Sequence, residues 1–201
     1  MLTHPLCLQG LGTLMLLISV TNLARYQPTS QLAAGRSVAQ AQANGQPTGK
    51  ADQLFAEAIA LEEQGSADSY RQAVEKCVMA AKLYHAAGKK PEEALSFHQA
   101  GILSRNLGEP QKALDYYNQA LALRRAVSDR GGEATTLTNA GTVYAELGEL
   151  QKALDYYQQA LPLRRAVSDR GGEAATLTNI GDVYAALGEL ARPTRRSTGC
   201  R

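Results

Sequence analysis

The chain has no tryptophan, two phenylalanines and three cysteines in 201 residues. With few large rings to fill it, a core must be built from small and aliphatic side chains at close spacing. Cys7 lies in an N-terminal apolar stretch, Cys77 in an amphipathic segment and Cys200 in the tail, which makes no disulfide framework. Acidic residues are missing from both ends. From Lys50 to Glu189 the chain carries 15 Lys or Arg against all 19 Asp and Glu, a balance of −4, and the other six basic residues are Arg25, Arg36, Arg192, Arg195, Arg196 and Arg201. A mildly acidic body lacks the basic stripe that displaces counterions from a phosphate backbone, so no nucleic-acid partner is expected.

Catalytic signatures are missing too. His4, His85 and His98 have no Cys, Ser or carboxylate partner at a recognisable spacing, and there is no GxGxxG, P-loop, HExxH or paired CxxC. The Gly-Gly pairs at 131–132 and 171–172 are not followed by Lys-Ser/Thr. The expectation is a non-enzyme with no cofactor and no metal.

What the chain does have is repetition. The heptapeptide QKALDYY at 111–117 recurs unchanged at 151–157, and RRAVSDRGGEA at 124–134 recurs at 164–174. Each 40-residue unit holds two helical patterns. In the first, Leu137, Gly141 and Tyr144 fall on one helical face, echoed by Leu177, Gly181 and Tyr184. In the second, Ala153, Tyr157, Ala160 and Leu161 form the stripe, echoing Ala113, Tyr117, Ala120 and Leu121. Leu107-Gly108, Leu147-Gly148 and Leu187-Gly188 suit left-handed helix ends, Pro110 suits a first turn, and Asp129 and Asp169 suit N-caps. Helix breaks are expected near Gly65, Gly88, Gly108, Ser128, Gly148, Ser168 and Gly188. The Tyr-Tyr pairs read as core packing. Arg124-Arg125 and Arg164-Arg165 read as a solvated face supporting acidic neighbours.

Leu137-x2-Ala140-Gly141-x2-Tyr144, followed by Ala153-x3-Tyr157 and Ala160, resembles the tetratricopeptide signature. Small residues at Gly141, Ala153 and Ala160 then let paired helices approach, with tyrosine rings filling the gaps. The period of 40 exceeds the common 34, which is similar to the long variety of kinesin light chains and many-repeat bacterial proteins. The preceding unit has Ser104 where Tyr is expected, and the unit before it is degenerate, with Leu54, Ala58, Leu61, Ala73, Cys77 and Ala80.

The resemblance implies an all-α, right-handed solenoid of antiparallel helical hairpins over 51–190. Its parts are a degenerate unit at 51–90, full units at 91–130 and 131–170, and a half unit at 171–190. It implies a scaffold that holds a peptide or helix of another protein in a concave groove. Thr135, Asn139, Thr142 and Glu146 lie opposite the Leu137/Tyr144 stripe, with Asn179, Asp182 and Gln99 at matching positions. In such arrays this face lines the groove, where an amide can both donate to and accept from a peptide backbone. An alternative is the repeat region of a larger bacterial effector whose caspase-like domain is missing here.

Two ends complete the reading. Leu6–Val20 is an apolar run of 15 residues, short of the ~20 of a membrane-spanning helix, and Ala39-Gln40-Ala41 is a small-x-small site. Residues 1–41 therefore read as a signal peptide or N-terminal anchor, and 42–50 as a polar linker. The protein is expected to be exported or anchored, the alternative being cytoplasmic. At 191–201 the chain runs ARPTRRSTGCR, a basic tail read as disordered, in place of a fourth unit's second helix. Leu177, Gly181 and Tyr184 should then be uncovered, leaving an end open to self-association, as in a fragment of a longer array.

Overall fold

The computed structural model describes residues 47–190, which form seven α-helices: α1 (Pro47–Glu62), α2 (Ala67–Ala86), α3 (Lys90–Asn106), α4 (Pro110–Ala126), α5 (Arg130–Glu146), α6 (Leu150–Ala166) and α7 (Arg170–Leu190). The apolar run, the Ala39-Gln40-Ala41 site and the basic tail lie outside the described residues. Among the described residues there is no strand, and each helix packs on the next. The result is a linear solenoid of hairpins α1–α2, α3–α4 and α5–α6, with α7 stacked on the last.

Four consecutive helices, α3 to α6, are 17 residues each. At ~1.5 Å per residue they are about 25 Å long, which accounts for the 40-residue period. Six of the seven expected breaks are present, and each turns on one left-handed residue. Gly65, Gly88, Gly108 and Gly148 have φ between 67° and 77°, and Ser128 and Ser168 have φ near 58° and 57°. The backbone closes these turns in a common way: Glu149 N–H donates to the Tyr144 carbonyl at 2.9 Å and Asp129 N–H to the Arg124 carbonyl at 2.9 Å.

The seventh break is absent. α7 continues through Gly188 to Leu190, about one turn longer than α5, which stops at Glu146 ahead of Gly148. Glycine permits a left-handed end but does not impose one. A second correction concerns the linker, since α1 already begins at Pro47, where a first-turn proline is tolerated. α6 also carries Pro162 in its interior, on the exposed side, without interruption.

The core follows the repeated stripes. Ala113, Leu114 and Tyr117 of α4 pack with Ala140 and Val143 of α5, and Ala153, Leu154 and Tyr157 of α6 pack with Val183 of α7. Glycine makes the closest of these approaches possible. A Cβ on Gly101 would sit 2.5 Å from the Tyr117 ring, and one on Gly141 would sit 2.6 Å from the Tyr157 ring. Cys77 is wholly buried among Ala58, Ala73, Ala100 and Leu103, and burial pushes its thiol up to about 12, too high for a reactive thiolate. α2 is tied to α1 by Tyr84, whose hydroxyl donates to Asp52 at 2.6 Å, and by a 2.5 Å Lys76–Glu57 pair.

Candidate functional site

The odd-numbered helices carry the residues singled out from the sequence, and the structure divides them into two groups. Thr142, Glu146, Asn179 and Asp182 come together around one cleft of about 350 Å³ between α5, α6 and α7. Ala145, Leu150, Val183 and Ala186 supply its apolar walls. Tyr157 also lines it, and its hydroxyl donates to Thr142 Oγ1 at 3.3 Å. The Thr142 hydroxyl in turn donates to the Thr138 carbonyl at 3.1 Å. Glu146 and Asp182 are exposed, so the cleft has two carboxylates on an otherwise apolar and amide-bearing surface.

The other three serve contacts within the array. Gln99 donates to Glu62 Oε2 at 2.6 Å, joining α3 to α1, and burial raises the Glu62 pKa. Thr135 bonds the Gly131 carbonyl of its own first turn. Asn139 donates its amide to Nε2 of His98 at 3.3 Å, and His98 Nδ1–H donates to Thr136 Oγ1 at 3.1 Å. The Thr136 hydroxyl passes the chain on to the Gly132 carbonyl at 3.0 Å. With Nε2 accepting and Nδ1 donating, His98 is neutral. Burial, and secondarily the Arg124 guanidinium, pushes it down to about 4. Forty residues on, Thr138 takes the place of His98 and lies 3.4 Å from Thr176. Only the Asn of the second full unit is thus diverted into an inter-helix link. The sequence could not show it, because a histidine replaces threonine in one copy alone.

One of the repeated tyrosines has an unmatched hydroxyl. Tyr117 occupies the place of Tyr157, but Ile102 stands where Thr142 would accept, and the Tyr117 hydroxyl has no hydrogen-bond partner among the described residues.

Arg124 does not lie on a solvated face. It is 7 % exposed and lies 3.5 Å from Asp129 Oδ2, beneath the start of α5. Arg164 pairs with Asp169 in the same way. Asp129 and Asp169 also cap their helices, accepting from Gly132 N–H at 2.9 Å and Gly172 N–H at 2.8 Å. That backbone bond, then Arg164, holds Asp169 below its ordinary range. A Cβ on Gly132 or Gly172 would collide with this pair, which explains the second glycine of each Gly-Gly. Arg125 and Arg165 are exposed as expected, bonding Glu133 and Glu173 at 2.6 Å.

Comparison with known proteins agrees with this geometry. A model of the tetratricopeptide repeat family matches residues 92–166 and 132–192. Two crystal structures of a Podospora anserina kinesin light chain with nearly identical TPR-like repeats are similar in fold. Each has a TM-score of 0.58 at 16 % identity; one alignment covers 72 % of this chain and 69 % of that one, the other 73 % and 70 %. BtubC (BKLC) from P. vanneervenii aligns with a TM-score of 0.54 at 16 % identity, over 86 % of this chain and 79 % of its own. No curated protein sequence matches.

Proposed function

Because the chain belongs to the tetratricopeptide repeat family, whose fold is one of protein–protein interaction, we propose that it is a scaffold holding an extended segment or short helix of another protein in its groove. The observation that carries this reading is the cleft formed by Thr142, Glu146, Asn179 and Asp182 over apolar walls. An amide there can meet a peptide backbone, and the two carboxylates favour a segment carrying lysine or arginine. Capture with the wild-type chain, followed by titration of the captured partner's peptides, tests it. Asn179→Ala should weaken binding about tenfold, the equivalent of one lost hydrogen bond at ~1.4 kcal/mol. Asp182→Lys should abolish it for a basic peptide. Binding indifferent to both substitutions would remove the cleft from the mechanism.

Export belongs to the same proposal. The reading is supported by the apolar run before Ala39-Gln40-Ala41. Protein from its native host should begin at Gln42 on N-terminal sequencing, and soluble cytoplasmic protein beginning at Met1 would refute this.

A further inference from the structure

One unit ahead of the open cleft, between α3 and α5, the same surface is bridged by charge. Arg105 of α3 and Glu146 of α5 face each other at 3.9 Å, too far for a hydrogen bond. Forty residues on, Ala145 stands in the place of Arg105 and Ala186 in the place of Glu146, and both line the cleft. Two alanines thus leave the later step open where an ion pair closes the earlier one. Tyr117 lies beside that pair. Burial pushes its phenol up to about 12, and the Arg105 and Glu146 charges act on it in opposite directions. The hydroxyl is therefore neutral, and it is buried with no partner among the described residues. Its counterpart on Tyr157 reaches Thr142 and lines the open cleft.

A buried hydroxyl without a partner costs stability, and a half-exposed ion pair at this distance returns little. Phenylalanine would pack on Gly101 as well, since the atoms of Tyr117 nearest that position are ring carbons. Packing alone does not account for the oxygen. Glu146, moreover, belongs to both places, lining the cleft and facing Arg105. A cation entering the cleft competes with Arg105 for it and leaves the guanidinium beside the bare Tyr117 hydroxyl. A guanidinium has only donors and the phenol has one to give, so together they suit a carboxylate. We propose that the Arg105–Glu146 pair is a cover exchanged on binding. A lysine or arginine of the bound segment takes Glu146 in the cleft, and an aspartate or glutamate of the same segment takes Arg105 and the Tyr117 hydroxyl. The site thereby reads a basic and an acidic residue together, and no charge is left alone. This inference rests on the groove reading above and names the chemistry of its partner.

Fluorescence anisotropy of short acetylated, amidated glycine–serine peptides with the full chain tests it. One peptide carries lysine, one glutamate, and one carries both in either order, two residues apart so that they share a face at ~7 Å. The mixed peptide in its better order should bind about tenfold tighter than the lysine peptide. Bulk attraction predicts the reverse, because the body from Lys50 to Glu189 is acidic. Tyr117→Phe should remove most of that gain and leave the lysine peptide's affinity unchanged. Arg105→Gln, which frees Glu146, should remove the gain and tighten the lysine peptide. Tyr117→Phe should also melt no lower than the wild type, since it gives up no bond, whereas Tyr157→Phe loses Thr142 and should melt lower. A mixed peptide no tighter than the lysine peptide, with both lost in Asp182→Lys, overturns the inference and leaves the groove reading standing. So does a Tyr117→Phe chain that keeps the full gain, or one that melts lower because its hydroxyl has a structural partner. If neither lysine-bearing peptide binds, the groove reading falls and this inference with it.

Discussion

The ring of Tyr157 occupies the space that any side chain at position 141 would need: a Cβ there would lie 2.6 Å from its Cε1. The contact joins the two helices of one hairpin, so position 141 bears on the stacking of α5 against α6. Gly141→Ala gains ~1 kcal/mol of helix propensity but forces apart a packed ring, at ~1–3 kcal/mol.

The net expectation is a lower thermal midpoint for Gly141→Ala, and for Gly101→Ala by the same contact with Tyr117. Gly181→Ala has open space around it and should raise the midpoint when measured on dilute protein. Equal effects at 141 and 181 would mean that the ring yields without cost.

The two glycines of each pair should behave oppositely. Around Gly131 the nearest atom to a Cβ is Asp129 Oδ1 at 4.0 Å, so Gly131→Ala should stabilise by up to ~1 kcal/mol. Gly132→Ala displaces the buried Arg124 from its half-exposed partner Asp129 and should destabilise, by ~1–3 kcal/mol for a buried charge that loses its partner geometry. Urea midpoints of the two variants, compared with the wild type, decide it.

His98 gives the stability a pH dependence with a defined sign. Folded, it titrates at about 4; unfolded, near the ordinary 6.5, so between these values the unfolded chain binds more protons. Its contribution is complete above pH 6.5, is lost as the pH falls towards 4, and stays lost below that. A difference of 2.5 units at 1.36 kcal/mol each bounds the loss at ~3 kcal/mol. Melting the wild type and His98→Gln from pH 7 to pH 4 isolates this part of the slope. The carboxylates are common to both chains, so identical slopes would exclude His98 as the cause.

Six helix boundaries were legible from residue type, at Gly65, Gly88, Gly108, Ser128, Gly148 and Ser168. Gly108 and Gly148 turn left-handed because the next helix must fold back and pack, whereas Gly188 bears the same Leu-Gly signal and stays helical. The period, the small-residue stripes and the tyrosine packing could be read from residue type alone, because they depend on local spacing. The groove could not be read to the same depth. Asn139 and Asn179 are the same residue at the same repeat position, yet one is tied to His98 and the other lines a cleft. What separates them is the neighbouring helix 40 residues earlier. Arg124 was misread as solvated for a related reason: its burial is made by the glycine and aspartate that begin the following helix.

The junction between hairpins is written in one short stretch, Arg124 to Glu133 and again Arg164 to Glu173, with the same capping aspartate, the same two ion pairs and the same glycine notch. Each junction is therefore self-contained. A block of 40 residues copied from 131–170 and inserted after 170 would meet its neighbours through contacts the chain already makes, including the Thr138–Thr176 approach. Length in such an array can change by whole units through duplication or loss, with no compensating substitution, and the number of clefts would change with it.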